Sequence, residues 1–394
     1  MAGYGRWFGV VGSVVMAATV STACTATIGS ATSGTPRHAS ALERFVPQSI
    51  VRIVGAEAVV VAGSIPCGGR VCATLLWGSL GQSGLVQHWR HLNAPPIPPA
   101  RDARSLSVGD MSFANGKDAY DLIAPATPGG ATLVYATVDG GDTWRRASVT
   151  PGTVLSLVAG TGAFYAVTAR CGQDSCHDYS LARSTAGTFQ WSTTPIPATP
   201  GLDQSEVGLA VQGHEVLVNF DPPVKGGQPH LLIARNGRGP FTMDLVPRLE
   251  SVGACDLSPQ PGGAVWATCP TGMLVSYFHA PRPAGPYRRV WEYAGTGGGG
   301  LVPVSATVAY RYTGVAVSTP EEVRADVLQR STDAGGSFTE AGPWPFAHNV
   351  GTTPAFLFLD ERDGFGLGPA PATTRTPEVV ETADAGRHWK QVLP

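Results

Sequence analysis

The chain has 394 residues, 50 of them Gly and 33 Pro, with 43% hydrophobic and 14% charged residues. That much Gly and Pro argues against a mainly helical protein, and so apolar a composition, with 9 Trp, argues against disorder. A net charge of -2 without a basic cluster leaves nothing to attract a phosphate backbone, so nucleic acid is not an expected partner.

The N-terminus comes first in chain order. Arg6 and the amino group supply positive charge, residues 8–20 form an apolar run too short to span a bilayer, and small residues follow in STAC at 21–24. This order reads as an export signal over residues 1–23. It resembles a bacterial lipoprotein signal, which implies lipidation of Cys24, although Ser21 stands where that pattern usually has Leu. Ordinary signal-peptidase cleavage is the alternative. Residues 24–40 are rich in Ser, Thr, Gly and Ala, cannot bury a core, and read as a flexible tether. A coil of about twenty residues reaches on the order of 25 Å.

From residue 41 onward the chain is a series of short β-prone runs separated by Gly, Pro, Asn and Asp, with no apolar segment of helical period. The first, SIVRIV, alternates and carries Arg52. His88 and His91 follow in a predicted strand, where a spacing of three points the two rings to opposite faces. The runs SLSVGDMSFA, DAYDLIAP, ATLVYATV and TWRRASV make one four-strand unit, and PAFLFLDE, DGFGLGPA, EVVETA and HWKQVLP make another at the C-terminus. Between them, GTGGGG at 295–300 is followed by a strand rather than a helix, so it reads as a loop and not as a phosphate cradle. No G-x-S-x-G nucleophile elbow is present.

Seven cysteines leave Cys24 as the odd one. Cys67 with Cys72, Cys171 with Cys176, and Cys255 with Cys269 each lie close in sequence across an apparent hairpin. Fifteen connectivities are possible, and three local disulfides are the simplest. A zinc site built from the two C-x4-C pairs and buried free thiols are the alternatives; the wide separation of those pairs in an exported chain argues against zinc.

One eight-residue pattern recurs: hydroxyl, any residue, Asp, any residue, Gly, two more, aromatic. It occurs as Thr137, Asp139, Gly141 and Trp144; as Ser331, Asp333, Gly335 and Phe338; and as Thr382, Asp384, Gly386 and Trp389. A tight turn leaves backbone N–H groups without ladder partners; short Asp and Thr side chains accept them, and Gly supplies positive φ. Degenerate copies keep the final aromatic at Trp89, Trp191, Phe241 and Tyr287, which gives seven units of about fifty residues. Four strands per unit at that period predict an all-β, seven-bladed propeller over 41–394, with the boxes between third and fourth strands.

This pattern resembles the Asp box of the sialidase-like, or BNR-repeat, propellers, which include sialidases, other glycoside hydrolases, sorting receptors and photosystem assembly factors. The resemblance implies that ligands gather over the central channel, at loops joining consecutive blades and joining second to third strands, away from the boxes. A sialidase is expected to hold its substrate carboxylate with three arginines, the first in Arg-Ile-Pro, and to use a Tyr nucleophile paired with Glu. Here Arg52 and Ile53 match that motif but Val54 replaces Pro, which leaves Arg52 as a weak ligand-binding candidate. Tyr310 and Tyr312 alternate with Arg311 as in any strand. No catalytic residue, metal or cofactor is assigned. The expectation is a monomeric, noncatalytic binding or scaffold module, tethered outside the cytoplasmic membrane, for a protein or cell-envelope glycan. The alternative is an exported sialidase-type glycoside hydrolase.

Overall fold

The protein is described by a computed structural model over residues 44–393, apart from 54–55, 101–109, 124–131, 151, 173–174, 198–206, 221–229, 246–253, 271–273, 295–299, 314–326, 347–354 and 370–376. The chain divides into Met1–Ala39 and Ser40–Pro394, and all described residues lie in the second unit. The export signal, Cys24 and the whole of the tether therefore lie outside the described residues. None of the described helices or other segments is a helix long and apolar enough to cross a membrane.

Among the described residues, twenty-eight strands form seven four-stranded antiparallel sheets, each made of consecutive strands. The blades span residues 46–92, 110–147, 153–195, 207–245, 256–294, 300–343 and 355–393. Each blade is a simple meander. The second strand is sandwiched between neighbouring blades and is apolar on both faces, as in Ala163–Cys171 of blade 3, where residues 163–169 are all buried. Outer strands face water over most of their length, as Val86–Leu92 does in blade 1, where Gln87, His88, Arg90 and His91 are exposed.

The core is not one mass but a ring of seams. Seven apolar clusters each join two neighbouring blades, from Ile53, Val60 and Phe113 between blades 1 and 2 to Phe45, Val61, Phe365 and Leu393 between blades 7 and 1. Blade 7 ends with its own outer strand, Lys390–Leu393, and blade 1 begins with its own inner strand, Val46–Arg52. Among the described residues no strand is shared across the closure, and side chains pack in the seam between blades 7 and 1.

The three complete boxes form one kind of turn. In blade 2, Gly141 N–H donates to Thr137 Oγ1 at 3.0 Å, Thr137 Oγ1 donates to Asp139 Oδ1 at 2.7 Å, and Thr143 N–H donates to Asp139 Oδ1 at 2.9 Å. Blade 6 repeats this with Ser331, Asp333, Gly335 and Ser337, and blade 7 with Thr382, Asp384, Gly386 and His388. The hydrogen bonds from Ser337 and Ser331 hold the Asp333 carboxyl down at about 2. Burial opposes ionisation of Asp384, but bonds from His388 and Thr382 outweigh it and bring its value to about 2. Each box is also tied to its blade's first turn: Gly140, Ala334 and Ala385 N–H donate to Lys117, Thr307 and Arg362 carbonyls, all at 2.8 Å.

The box glycines have a second reason that the motif alone does not reveal. A Cβ on Gly386 would lie 2.3 Å from Leu328 of blade 6, and one on Gly335 would lie 2.7 Å from Val290 of blade 5. Each box thus docks on the preceding blade. Blade 1 departs from the scheme. Its third and fourth strands stay paired out to Leu80 and Val86, and a turn over 81–85 replaces the box. Trp89 accordingly lies inside the outer strand, opposite Gly78, whereas Trp144, Phe338 and Trp389 immediately precede theirs.

Candidate binding face

The meander fixes which residues can share a face. First-to-second and third-to-fourth connections leave at one end of the ring, and second-to-third and blade-to-blade connections leave at the other. The boxes occupy the first end. All three disulfides sit at the second: Cys67–Cys72 and Cys171–Cys176 clip the second-to-third hairpins of blades 1 and 3, and Cys255–Cys269 ties the start of the inner strand of blade 5 to its second strand. The first hairpin reverses through Gly68 and Gly69, both at positive φ. Cys255 and Cys269 are fully buried, and Asn219 of blade 4 donates to the Cys255 carbonyl at 3.2 Å. The disulfide reading of the cysteines therefore holds in the fold, and three disulfides in one domain fit an oxidising, extracytoplasmic setting.

The same end carries carboxylates at the channel mouth. Asp110 opens the inner strand of blade 2 and Asp256 opens that of blade 5; both are exposed. Asp121, one strand outward from Asp110 and paired with Met111, is fully buried, and neither of its oxygens has a hydrogen-bond partner. Burial, then the charge of Asp110, pushes the Asp121 carboxyl up to about 7. Among the described residues, Asp110 and Asp256 place two carboxylates at this mouth.

Arg52 is elsewhere. It is the last residue of the inner strand of blade 1, exposed, beside the first-to-second connection, and so at the box end of the ring. Tyr310 also serves the box end: its hydroxyl donates to the Glu361 carbonyl at 2.8 Å, its ring stacks on Phe358, and burial pushes its value up to about 12. A nucleophilic phenol needs the opposite shift. Tyr312 is buried against Trp344 between blades 6 and 7. Both tyrosines are thus held in the seam between blades 6 and 7, whereas Arg52 ends the inner strand of blade 1. His88 and His91 lie on the outer strand of blade 1, with His91 Nε2 2.6 Å from Thr74 Oγ1. No group of three or more potential ligating side chains among the described residues is arranged to hold a metal ion.

Asp110, Asp121 and Asp256 were not singled out from sequence. Each stands alone in its strand, and only the ring brings them to one end. A cleft of about 260 Å³ at the box end, between blades 4 and 5, is lined by Glu215, Ile233, Arg235, Arg282, Pro283 and Ala284. It is remote from the disulfides.

No family model and no curated protein matches the chain. Solved structures do. The chain is similar to the lectin BP39L from Burkholderia pseudomallei, with a TM-score of 0.52 and 10% identity over 89% of this chain and 99% of that one. It is also similar to the β-propeller domain of the Trilobed protease from Pyrococcus furiosus, described as having an open velcro topology, with a TM-score of 0.51 and 9% identity over 88% and 97%. A prolyl endopeptidase aligns with a TM-score of 0.51 and 14% identity over 90% of this chain and 51% of its own. At such identities these likenesses establish the propeller fold alone.

Proposed function

We propose that the protein is a noncatalytic binding or scaffold module of the cell envelope, tethered through Cys24 outside the cytoplasmic membrane, that takes a protein or an envelope glycan at the disulfide end of its ring. The observation that carries this reading is the gathering of all three disulfides at the end opposite the boxes. Covalent clips on recognition loops lower the ordering cost of binding. A lectin among the structures of like fold is compatible with a glycan ligand.

The sialidase-type alternative has less support. A substrate carboxylate calls for guanidinium groups; among the described residues the channel mouth presents Asp110 and Asp256, and Arg52 lies at the other end. A panel of fluorogenic sialosides and other glycosides should give no turnover with the purified protein. Turnover that is lost on Arg52→Ala would overturn the proposal and establish a glycosidase. For the tether, Cys24→Ala should move the protein from the membrane to the soluble fraction; unchanged membrane association would refute lipidation there.

A further inference from the structure

We propose that Glu381 and Asp363 of blade 7 form a latch that closes the ring on the hairpin of blade 1. The inference concerns the closure of the fold and does not depend on the binding reading. Blades 2, 6 and 7 hold their third-to-fourth turns internally, with a box hydroxyl and a box carboxylate accepting the turn's own N–H groups. Blade 1 has no such pair. Its hairpin runs on to Leu80 and Val86 and reaches blade 7. There Val86 N–H, at the start of the outer strand, donates to Glu381 Oε2 at 2.8 Å, a bond between residues 295 apart in sequence. Asp363 packs against the turn itself, so closely that a Cβ on Gly84 would fall 1.8 Å from its Oδ2. Gly84 also holds a φ of +74°, so both its conformation and its missing side chain serve this approach.

The turn's Gly81 and Gly84 N–H groups bond within the turn, and the acceptor for the Val86 N–H comes in trans, from the blade that precedes blade 1 around the ring. Glu381 is buried in the seam, immediately before the Thr382 box of its own blade, and opposite Lys390. The seam's apolar residues, among them Val59, Leu76, Phe365 and Val379, supply bulk adhesion, and the two carboxylates supply register. This is a substitute for a shared strand, because the ring joins two complete blades at that point.

Hydrogen–deuterium exchange on the full-length protein tests the latch, with Glu381→Ala, Glu381→Gln and Gly84→Ala beside the natural sequence. Glu381→Ala should speed exchange of the Val86 amide and its hairpin by about tenfold or more. Blades 3 to 5 should be unchanged. Glu381→Gln keeps an acceptor oxygen and should stay within about twofold of the natural protein. Gly84→Ala, which crowds Asp363 without touching the Glu381 bond, should loosen the same hairpin. Unchanged exchange at Val86 in Glu381→Ala would overturn the proposal. If Glu381→Ala does not fold, the Gly84→Ala and Glu381→Gln results decide: even loosening around the ring in the first, or tenfold loosening at Val86 in the second, would overturn it.

Discussion

Ala334 and Ala385 hold left-handed backbone, with φ of 58° and 66°, where the box of blade 2 has Gly140. That conformation costs an L-residue about 1–2 kcal/mol, partly offset by the greater unfolded-state freedom of glycine. Ala334→Gly and Ala385→Gly should therefore raise stability by about 0.5–1 kcal/mol in urea unfolding. Gly386→Ala should lower it by about 2 kcal/mol or more, since it adds both a strained φ and a contact with Leu328. Equal effects from the two kinds of change would contradict the turn geometry. Carboxyl titration gives a second test. Asp333 and Asp384, held at about 2, contribute stability that is present above the ordinary carboxyl value of about 4 and lost as pH falls from there toward 2. Asp121, pushed up to about 7, works the other way: stability is lost as pH rises from about 4 through 7. Melting temperatures of Asp121→Asn should show a flatter slope between pH 5 and 8 and the same acid limb; an unaltered slope would refute the assignment. The boxes were legible in the sequence because their hydrogen bonds span two to four residues. Asp121 was not, because its burial is completed by strands distant in sequence.

At the scale of elements, the second strands explain why so little helical signal appears. A segment such as AFYAVTA is buried at every position because blades cover both of its faces, and only short runs with turn signals between them remain to be read. The cysteines were legible for a related reason: each pair clips one hairpin or one pair of adjacent strands. Mass spectrometry of a nonreduced digest should recover the links 67–72, 171–176 and 255–269, and free thiols at these positions would contradict them. Converting Cys255 and Cys269 together to Ala should cost about 3 kcal/mol, and the same change at Cys67 and Cys72, which close a shorter loop, about 2 kcal/mol. Blade 1 shows where local pattern misleads. Counting back from terminal aromatics assigns Trp89 to a box end, yet pairing of Gly78 with Trp89 places it within the strand. An aromatic in an alternating strand carries no mark of its register with a partner strand.

For the whole molecule, the seven-fold repeat predicted the ring, and HWKQVLP, running on from the last box, predicted that blade 7 ends with its own outer strand, as Lys390–Leu393 does. Arg52 looked like a channel residue because it matched part of a motif on the opening strand. Strand direction, which the motif does not encode, carries it to the box end. Conversely, the approach of Asp110, Asp121 and Asp256 to one end, and the place of Cys255–Cys269 beside the two clipped hairpins, emerge only when the meanders are set side by side. The contrast between a face pinned by local hydrogen bonds and a face stiffened covalently is the basis for placing recognition at the second. Site-specific photocrosslinking in cells tests that placement most directly, with p-benzoylphenylalanine introduced singly at Arg70 and His177, exposed beside the disulfides, and at Val138, exposed at 41% on a box. Adducts with an envelope protein or glycan should form from Arg70 or His177 and not from Val138. Adducts from Val138 alone, or from none of the three, would contradict the account.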